Sequence, residues 1–204
     1  MFKRRLGIIG SSGYAREATA LASSIDLEVV GYIEKSGVEN PAVAVLGFDE
    51  DIDFIIREYE LSHIHVGIGD AAIRREVVSR VRPGYYGLIT HDTATVMSNE
   101  IGEGTIIYPG AVIMPGCNLG THCLVNAQAY LGHDVSIGDF CNIGPAVSIA
   151  GNVVIGSGTI IGVGASIKDG IRIGLGVTVG AGAVVVQDIP DHVVSYGNPS
   201  RPRS

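Results

Sequence analysis

The body of the chain has no run of lysines and arginines, and its net charge is −7. A nucleic-acid groove needs a basic stripe, so this balance argues against nucleic-acid binding and leaves only local basic groups for phosphates. Long apolar runs are missing too. After the basic start Met1-Phe2-Lys3-Arg4-Arg5, only Leu6 to Ile9 precede Gly10. That is too short for a signal peptide or a membrane span, and it predicts a cytoplasmic protein with no membrane insertion. There are only three cysteines, with no CxxC and no Cys/His ligand spacing, so no metal is expected. Reduced core thiols are the plain reading. Glycine is abundant, at 29 of 204 residues, but it does not recur every third residue, which excludes collagen.

What is present is a count of six. From Ile101, steps of six land on Ile107, Ile113, Leu119, Val125, Leu131 and onward to Val185, fifteen branched aliphatics without a break in phase. The residue after each is often glycine, as at Gly102, Gly120, Gly132 and Gly156, and the residue four after each is small or apolar. A period of six fits neither a helix nor an ordinary strand. It is the hexapeptide repeat of a parallel β-helix, in which each hexad supplies a short strand and a corner and three hexads close one coil. The aliphatic points inward, and the glycine is expected to supply unusual dihedrals at the corner. Eighteen residues along the chain then means one coil up.

Before the repeat, strands and helices alternate. Leu6–Ile9 reads as a strand, Ala15–Ile25 as a helix, Val29–Ile33 as a strand and Ser36–Pro41 as a loop. Val43–Leu46 reads as a further strand, Asp51–Glu58 as a helix, Ile64–Ile68 as a strand and Ala71–Val81 as a helix. This pattern predicts a small parallel α/β domain of Rossmann type over 1–88, ending near Pro83-Gly84. The β-helix is expected over 89–188 and a C-terminal tail over 189–204. The loop Gly10-Ser11-Ser12-Gly13 joins a strand to a helix, where backbone N–H groups can face a phosphate or a sugar hydroxyl. A glycine loop of this kind also serves as a plain turn. Glu34-Lys35 and Gly67-Ile68-Gly69 follow other strands, and ligands of open parallel sheets bind where such loops converge.

On the prism, Gly132-His133-Asp134 places an imidazole beside a carboxylate, the pattern of an oriented general base. Gly151 falls one coil above His133 and could present its N–H to a developing oxyanion. A lone exposed histidine is as a rule only a surface corner residue, and the other five also take a plain reading: His63 and His65 flank a strand, His91 sits at the domain junction, His122 is at a corner without an adjacent acid, and His192 is solvated in the tail. Ser11 and Ser12 have no partner base in sequence, which leaves a serine nucleophile without support.

The unbroken hexads resemble the left-handed β-helix acyltransferases. Further features join them: the short α/β domain, Gly10-Ser-Ser-Gly13, Gly67-Ile-Gly69, the stretch Asn126 to Asp134 and the tail Tyr196-Gly-Asn-Pro-Ser-Arg201. With these the chain resembles bacterial nucleotide-sugar N-acetyltransferases (PglD/NeuD-like) acting on 4-amino-4,6-dideoxy sugars. That family also holds proteins labelled sialic acid O-acetyltransferases. The resemblance implies homotrimers, a nucleotide-sugar substrate held by the α/β domain, and acetyl-CoA as cosubstrate in a groove between neighbouring prisms. It implies His133 as base, Asp134 as its supporting acid, Asn126 lining the site and the Gly151 amide facing the acetyl carbonyl. Asn142, Val163 and Ala181 would lie along acetyl-CoA, with the Gly197–Arg201 segment nearby. Gly10, Ser11, Ser12, Gly13, Glu34, Lys35, Gly67 and Gly69 would hold the nucleotide sugar. Three positions depart from the pattern: Asn142 stands where some relatives have a second histidine, Tyr14 stands where histidine is frequent, and Glu34-Lys35 replaces two adjacent acids. N-acetylation in surface-glycan or glycoprotein sugar biosynthesis is the leading expectation. O-acetylation, a longer acyl group, or a non-catalytic nucleotide-sugar scaffold are the alternatives.

Overall fold

The computed structural model describes residues 4–35, 44–81 and 84–203, and the chain divides into two compact units, Met1–Ile89 and Thr90–Ser204. The loop Ser36–Pro41, Val43 and Pro83 lie outside the described residues.

In the first unit the elements run β1 (Arg4–Ile9), α1 (Gly13–Ser24), β2 (Leu27–Glu34), β3 (Val45–Phe48), α2 (Ile52–Glu58), β4 (His63–Val66) and α3 (Ala71–Val78). The strands form one parallel sheet in the order β3-β2-β1-β4. Helix α1 buries Ala15, Ala18, Leu21 and Ala22, the helical spacing of its apolar face. Ile9, Ile33, Ile55, Ile64 and Val66 form the core. The third strand lies later than the sequence pattern suggests, and α3 stops at Val78 rather than Val81. Among the described residues no helix is long and apolar enough to cross a membrane.

On the edge strand β4, burial and then the charge of Arg4 hold the His63 imidazole below its ordinary range. The unfolded chain therefore takes up this proton more readily than the folded one. The fold should lose stability as pH falls through about 6.5, the ordinary imidazole value. We expect His63→Gln to flatten the drop in Tm on acidification. An unchanged slope would assign that drop to other groups.

The second unit is a three-sided prism of two-residue strands. Its faces are parallel sheets of five, eight and six strands, save that the last strand of the eight, Arg201–Arg203, is antiparallel. Neighbouring rungs are eighteen residues apart, as in Leu124 opposite Asn142 and Tyr130 opposite Ser148. The six-step aliphatics point inward, and Ile107, Ile113, Leu131, Ile143 and Ile161 have no exposed surface. Cys117, Cys123 and Cys141 are buried among them as thiols, outside any disulfide. Their thiols donate to the carbonyls of Gly132, Gly138 and Gly156.

Two expectations change here. The glycines that follow the aliphatics do not carry the unusual dihedrals. Positive φ falls two residues later, at Gly104, Gly110, Gly116 and also at His122, Asp134, Phe140 and Asn152. The first set is glycine because stacked coils leave no room: a Cβ on Gly156 would lie 2.6 Å from the backbone of Gly174. The second change concerns the prism's far end. Ahead of the first six-step aliphatic, Ile101, lie the strands Ile89–Thr90 and Thr95–Val96. At the other end, residues after 188 are not a separate tail, because Val194–Tyr196 pairs in parallel with Thr178–Val179.

Candidate active site

Every hexad turns its corner at its third and fourth residues. The third residue's N–H points out of the prism, which is why Pro109, Pro115 and Pro145 can sit there without losing a ladder bond. Elsewhere side chains satisfy these amides. Thr121 and Leu175 donate to the carboxylates of Asp139 and Asp191, Asp139 donates to Ser157 Oγ, and Ala127 donates to Asn126 Oδ1. The N–H groups of Gly151, Val163 and Ala181 make no hydrogen bond among the described residues. Val163 and Ala181 stack one coil apart on one corner and are exposed.

His133 and Asp134 occupy the corner between the six- and five-stranded faces. His133 Nδ1 lies 2.9 Å from Asp134 Oδ2. A carboxylate only accepts, so Nδ1 carries the proton and Nε2 is left as the acceptor. The imidazole lies directly against Gly151 of the next coil, where a Cβ would come within 2.5 Å of Nε2. The eighteen-residue rung is what brings these together, since Asn152 N–H donates to His133 O. The two side chains are 63% and 62% exposed, so in one chain the pair is open to water on its outer side.

Asn126 and Asn142 are not at this corner. Asn142 faces outward on the eight-stranded sheet, buried, opposite Leu124 and Ile160. Asn126 sits where that sheet turns toward the Val163 and Ala181 corner. A single protomer therefore separates His133 and Asp134 from Asn126, Asn142, Val163 and Ala181. Among the other histidines, His122 is buried and stacked on Phe140, and His65 is buried.

In the first unit, the loops at the carboxyl ends of the strands are tied together. Ser12 Oγ donates to Gly67 O, Gly67 N–H donates to Ile9 O, and Gly10 N–H donates to Ile33 O. Gly67 has no space for a Cβ beside the Ala15 backbone, and Gly69 lies under the Tyr14 ring. Tyr14 thus packs the loop. Buried Arg74 donates to the carbonyls of Ile68 and Gly69. A cavity of about 120 Å³ is lined by Gly10, Glu34, Lys35, Asp49, Ile68 and Arg80, among others. Glu34 and Asp49 are buried, and each keeps one carboxylate oxygen without a partner among the described residues, while the other Asp49 oxygen accepts from Arg80 at 3.0 Å. Arg74, Asp49 and Arg80 escaped the sequence reading because nothing in their local spacing distinguishes them from surface charges. A larger cavity, about 390 Å³, is lined by Thr19, Asp26 and Glu28 toward the start of β2, away from the strand ends where such sheets bind ligands. Among the described residues no cluster suited to a metal occurs.

The prism of hexads with an imidazole–carboxylate corner defines a hexapeptide-repeat acyltransferase. Residues 5–81 match the PglD N-terminal domain, and residues 100–133 match the bacterial transferase hexapeptide (six repeats). Among solved structures the chain is similar to PerB from Caulobacter crescentus, in complex with CoA and GDP-perosamine. The match has 31% identity, covers 98% of this chain and 97% of that one, and has a TM-score of 0.86. It is similar also to the acetyltransferase domain of PglB from Neisseria gonorrhoeae FA1090, in complex with acetyl coenzyme A, at 30% identity, 99% and 100% coverage and a TM-score of 0.85. WeeI from Acinetobacter baumannii AYE matches at 26% identity, 98% and 100% coverage and a TM-score of 0.83. No curated protein matches the chain. The chain belongs to the PglD-like nucleotide-sugar acetyltransferases, whose prism is a left-handed β-helix.

Proposed function

We propose that the protein transfers the acetyl group of acetyl-CoA to the amine of a nucleotide-linked 4-amino-4,6-dideoxy sugar, in the making of a surface-glycan or glycoprotein sugar. The observation that carries this reading is the hydrogen-bonded His133–Asp134 pair with Gly151 of the next coil stacked against the imidazole. The neutral amine attacks the thioester carbonyl and forms the C–N bond. The proton leaving nitrogen passes to His133 Nε2. The oxyanion of the tetrahedral adduct accepts from the Gly151 N–H. The C–S bond then breaks, and the departing CoA sulfur takes the proton from His133. Asp134 holds the imidazole with Nε2 as the acceptor throughout.

The complexes of PerB with GDP-perosamine and of the PglB domain with acetyl coenzyme A support the two substrates. The unpartnered oxygens of Glu34 and Asp49 suit ribose hydroxyls or base N–H groups, with Gly10 to Gly13, Lys35, Gly67 and Gly69 around them. Because His133 and the Val163–Ala181 corner lie apart on one protomer, the reading places each site between neighbouring protomers of a homotrimer. There the free amides of Val163 and Ala181 would meet the acetyl-CoA arm near Asn126 and Asn142. A cytoplasmic location fits these substrates.

The test offers purified protein acetyl-CoA with GDP-, UDP- and dTDP-linked 4-amino sugars and follows thiol release. Turnover with one of these acceptors is expected, with sedimentation as a trimer. Acylation only of hydroxyl sugars would replace the reading with O-acetylation. Tight binding with no release would favour a scaffold.

A further inference from the structure

His133 leans up onto Gly151, and Asp134 leans down. A Cβ on Gly116, one coil below, would stand 2.2 Å from Asp134 Oδ1 and 3.2 Å from its Cγ. Asp134 N–H donates to Pro115 O, so the same lower corner holds both the backbone and the carboxylate of the acid. The space over Gly116 is the volume that lets Oδ2 reach His133 Nδ1.

The motif recurs on the prism. His122 fills the space over Gly104, and His192 that over Gly176. Of these three side chains, only Asp134 is joined to an imidazole. Where no side chain leans down, the volume stays empty, as over Gly170.

We infer that Gly116 is a positioning residue of the acetyl transfer, acting only through Asp134; this rests on the reading of His133 and Asp134 as base and supporting acid. A methyl at Gly116 collides with the far end of a short, exposed side chain and not with backbone. The carboxylate can swing out, so the coil survives and the His133 contact is what is lost. Positive φ adds a second cost, +77° at Gly116. Gly170, on the same corner at +70° with nothing within 4 Å, carries that cost alone and is the matched control.

The experiment compares Gly116→Ala, Gly170→Ala, Asp134→Asn and the double variant Gly116→Ala/Asp134→Asn in the full-length protein. Melting temperature, kcat and the KM for acetyl-CoA are read for each. Gly116→Ala should melt with Gly170→Ala, yet lose roughly tenfold or more in kcat with little change in KM, less than the ~10²–10⁴-fold of a whole general base because the imidazole itself stays. The double variant should be no slower than Asp134→Asn, because the second change has nothing left to displace. If Asp134→Asn is slow while Gly116→Ala matches Gly170→Ala in kcat, the inference about Gly116 falls and the dyad stands. Additive losses in the double variant also overturn it, since Gly116 would then act by another route. If Asp134→Asn turns over normally, the acid's role falls and Gly116's with it.

Discussion

His133→Ala should leave a folded prism that turns over ~10²–10⁴-fold more slowly, the range for loss of a positioned general base. The side chain is largely exposed, and among the described residues its one side-chain hydrogen bond is to Asp134. The backbone carries the structural duty, because His133 O accepts from Asn152 N–H whatever the side chain. Truncation therefore removes chemistry without unstacking a coil, and the melting temperature should move by no more than a few degrees. The KM for acetyl-CoA should change little. Single-turnover kinetics alongside circular dichroism would check both halves. Near-normal turnover would remove His133 from the mechanism and return it to the class of surface corner residues.

The second large effect concerns the fold and reverses a common expectation about glycine. Gly170 has positive φ and Gly156 does not, so dihedral preference alone predicts that Gly170→Ala is the worse change. The structure predicts the opposite. The new methyl at Gly170 meets open space and costs only about 1–2 kcal/mol of left-handed backbone strain. At Gly156 it meets the carbon and oxygen of Gly174 and the nitrogen of Leu175, at 2.6–2.7 Å. These are backbone atoms in the next coil and cannot step aside without opening the rung. Overpacking of this kind costs about 3 kcal/mol or more, which for a chain of this size is roughly 10 °C in Tm. Melting the two variants side by side decides the matter, and a larger drop for Gly170→Ala would show that coil spacing is softer than it looks.

The prism was legible from Ile101 to Val185 because an inward aliphatic every sixth residue is a constraint that each rung repeats. The strands before Ile101 and after Val185 were not carried by that repeat, and register explains why. Thr95 pairs with Val112, seventeen residues on, and Thr178 pairs with Val194, sixteen residues on. The first and last turns therefore leave the phase of six while still adding strands. The His133–Asp134–Gly151 cluster could be placed from the ruler alone, because it depends only on adjacency and an eighteen-residue step. Asn126 and Asn142 could not be placed with it. The same ruler puts them on another corner and another face, and only a neighbouring copy would bring them close. In the α/β unit, spacing revealed the strands and the glycine loops. It did not reveal Arg74 bonded to the Ile68 and Gly69 carbonyls, nor the pairing of buried Asp49 with exposed Arg80, because those partners meet only through tertiary folding.

The eighteen-residue rung gives the prism something like a reading frame. Deleting or inserting a whole coil would shorten or lengthen the prism yet leave every later residue on its own face, with corners still stacked on corners. Deleting a single hexad keeps the inward aliphatics inward, so the core tolerates it, but it turns everything downstream by one face. Removing six residues between His133 and Gly151 would carry the glycine to another edge and set a different backbone over the imidazole. Length can therefore vary in this architecture only in quanta of three hexads if chemistry is to be retained, even though folding itself accepts quanta of one.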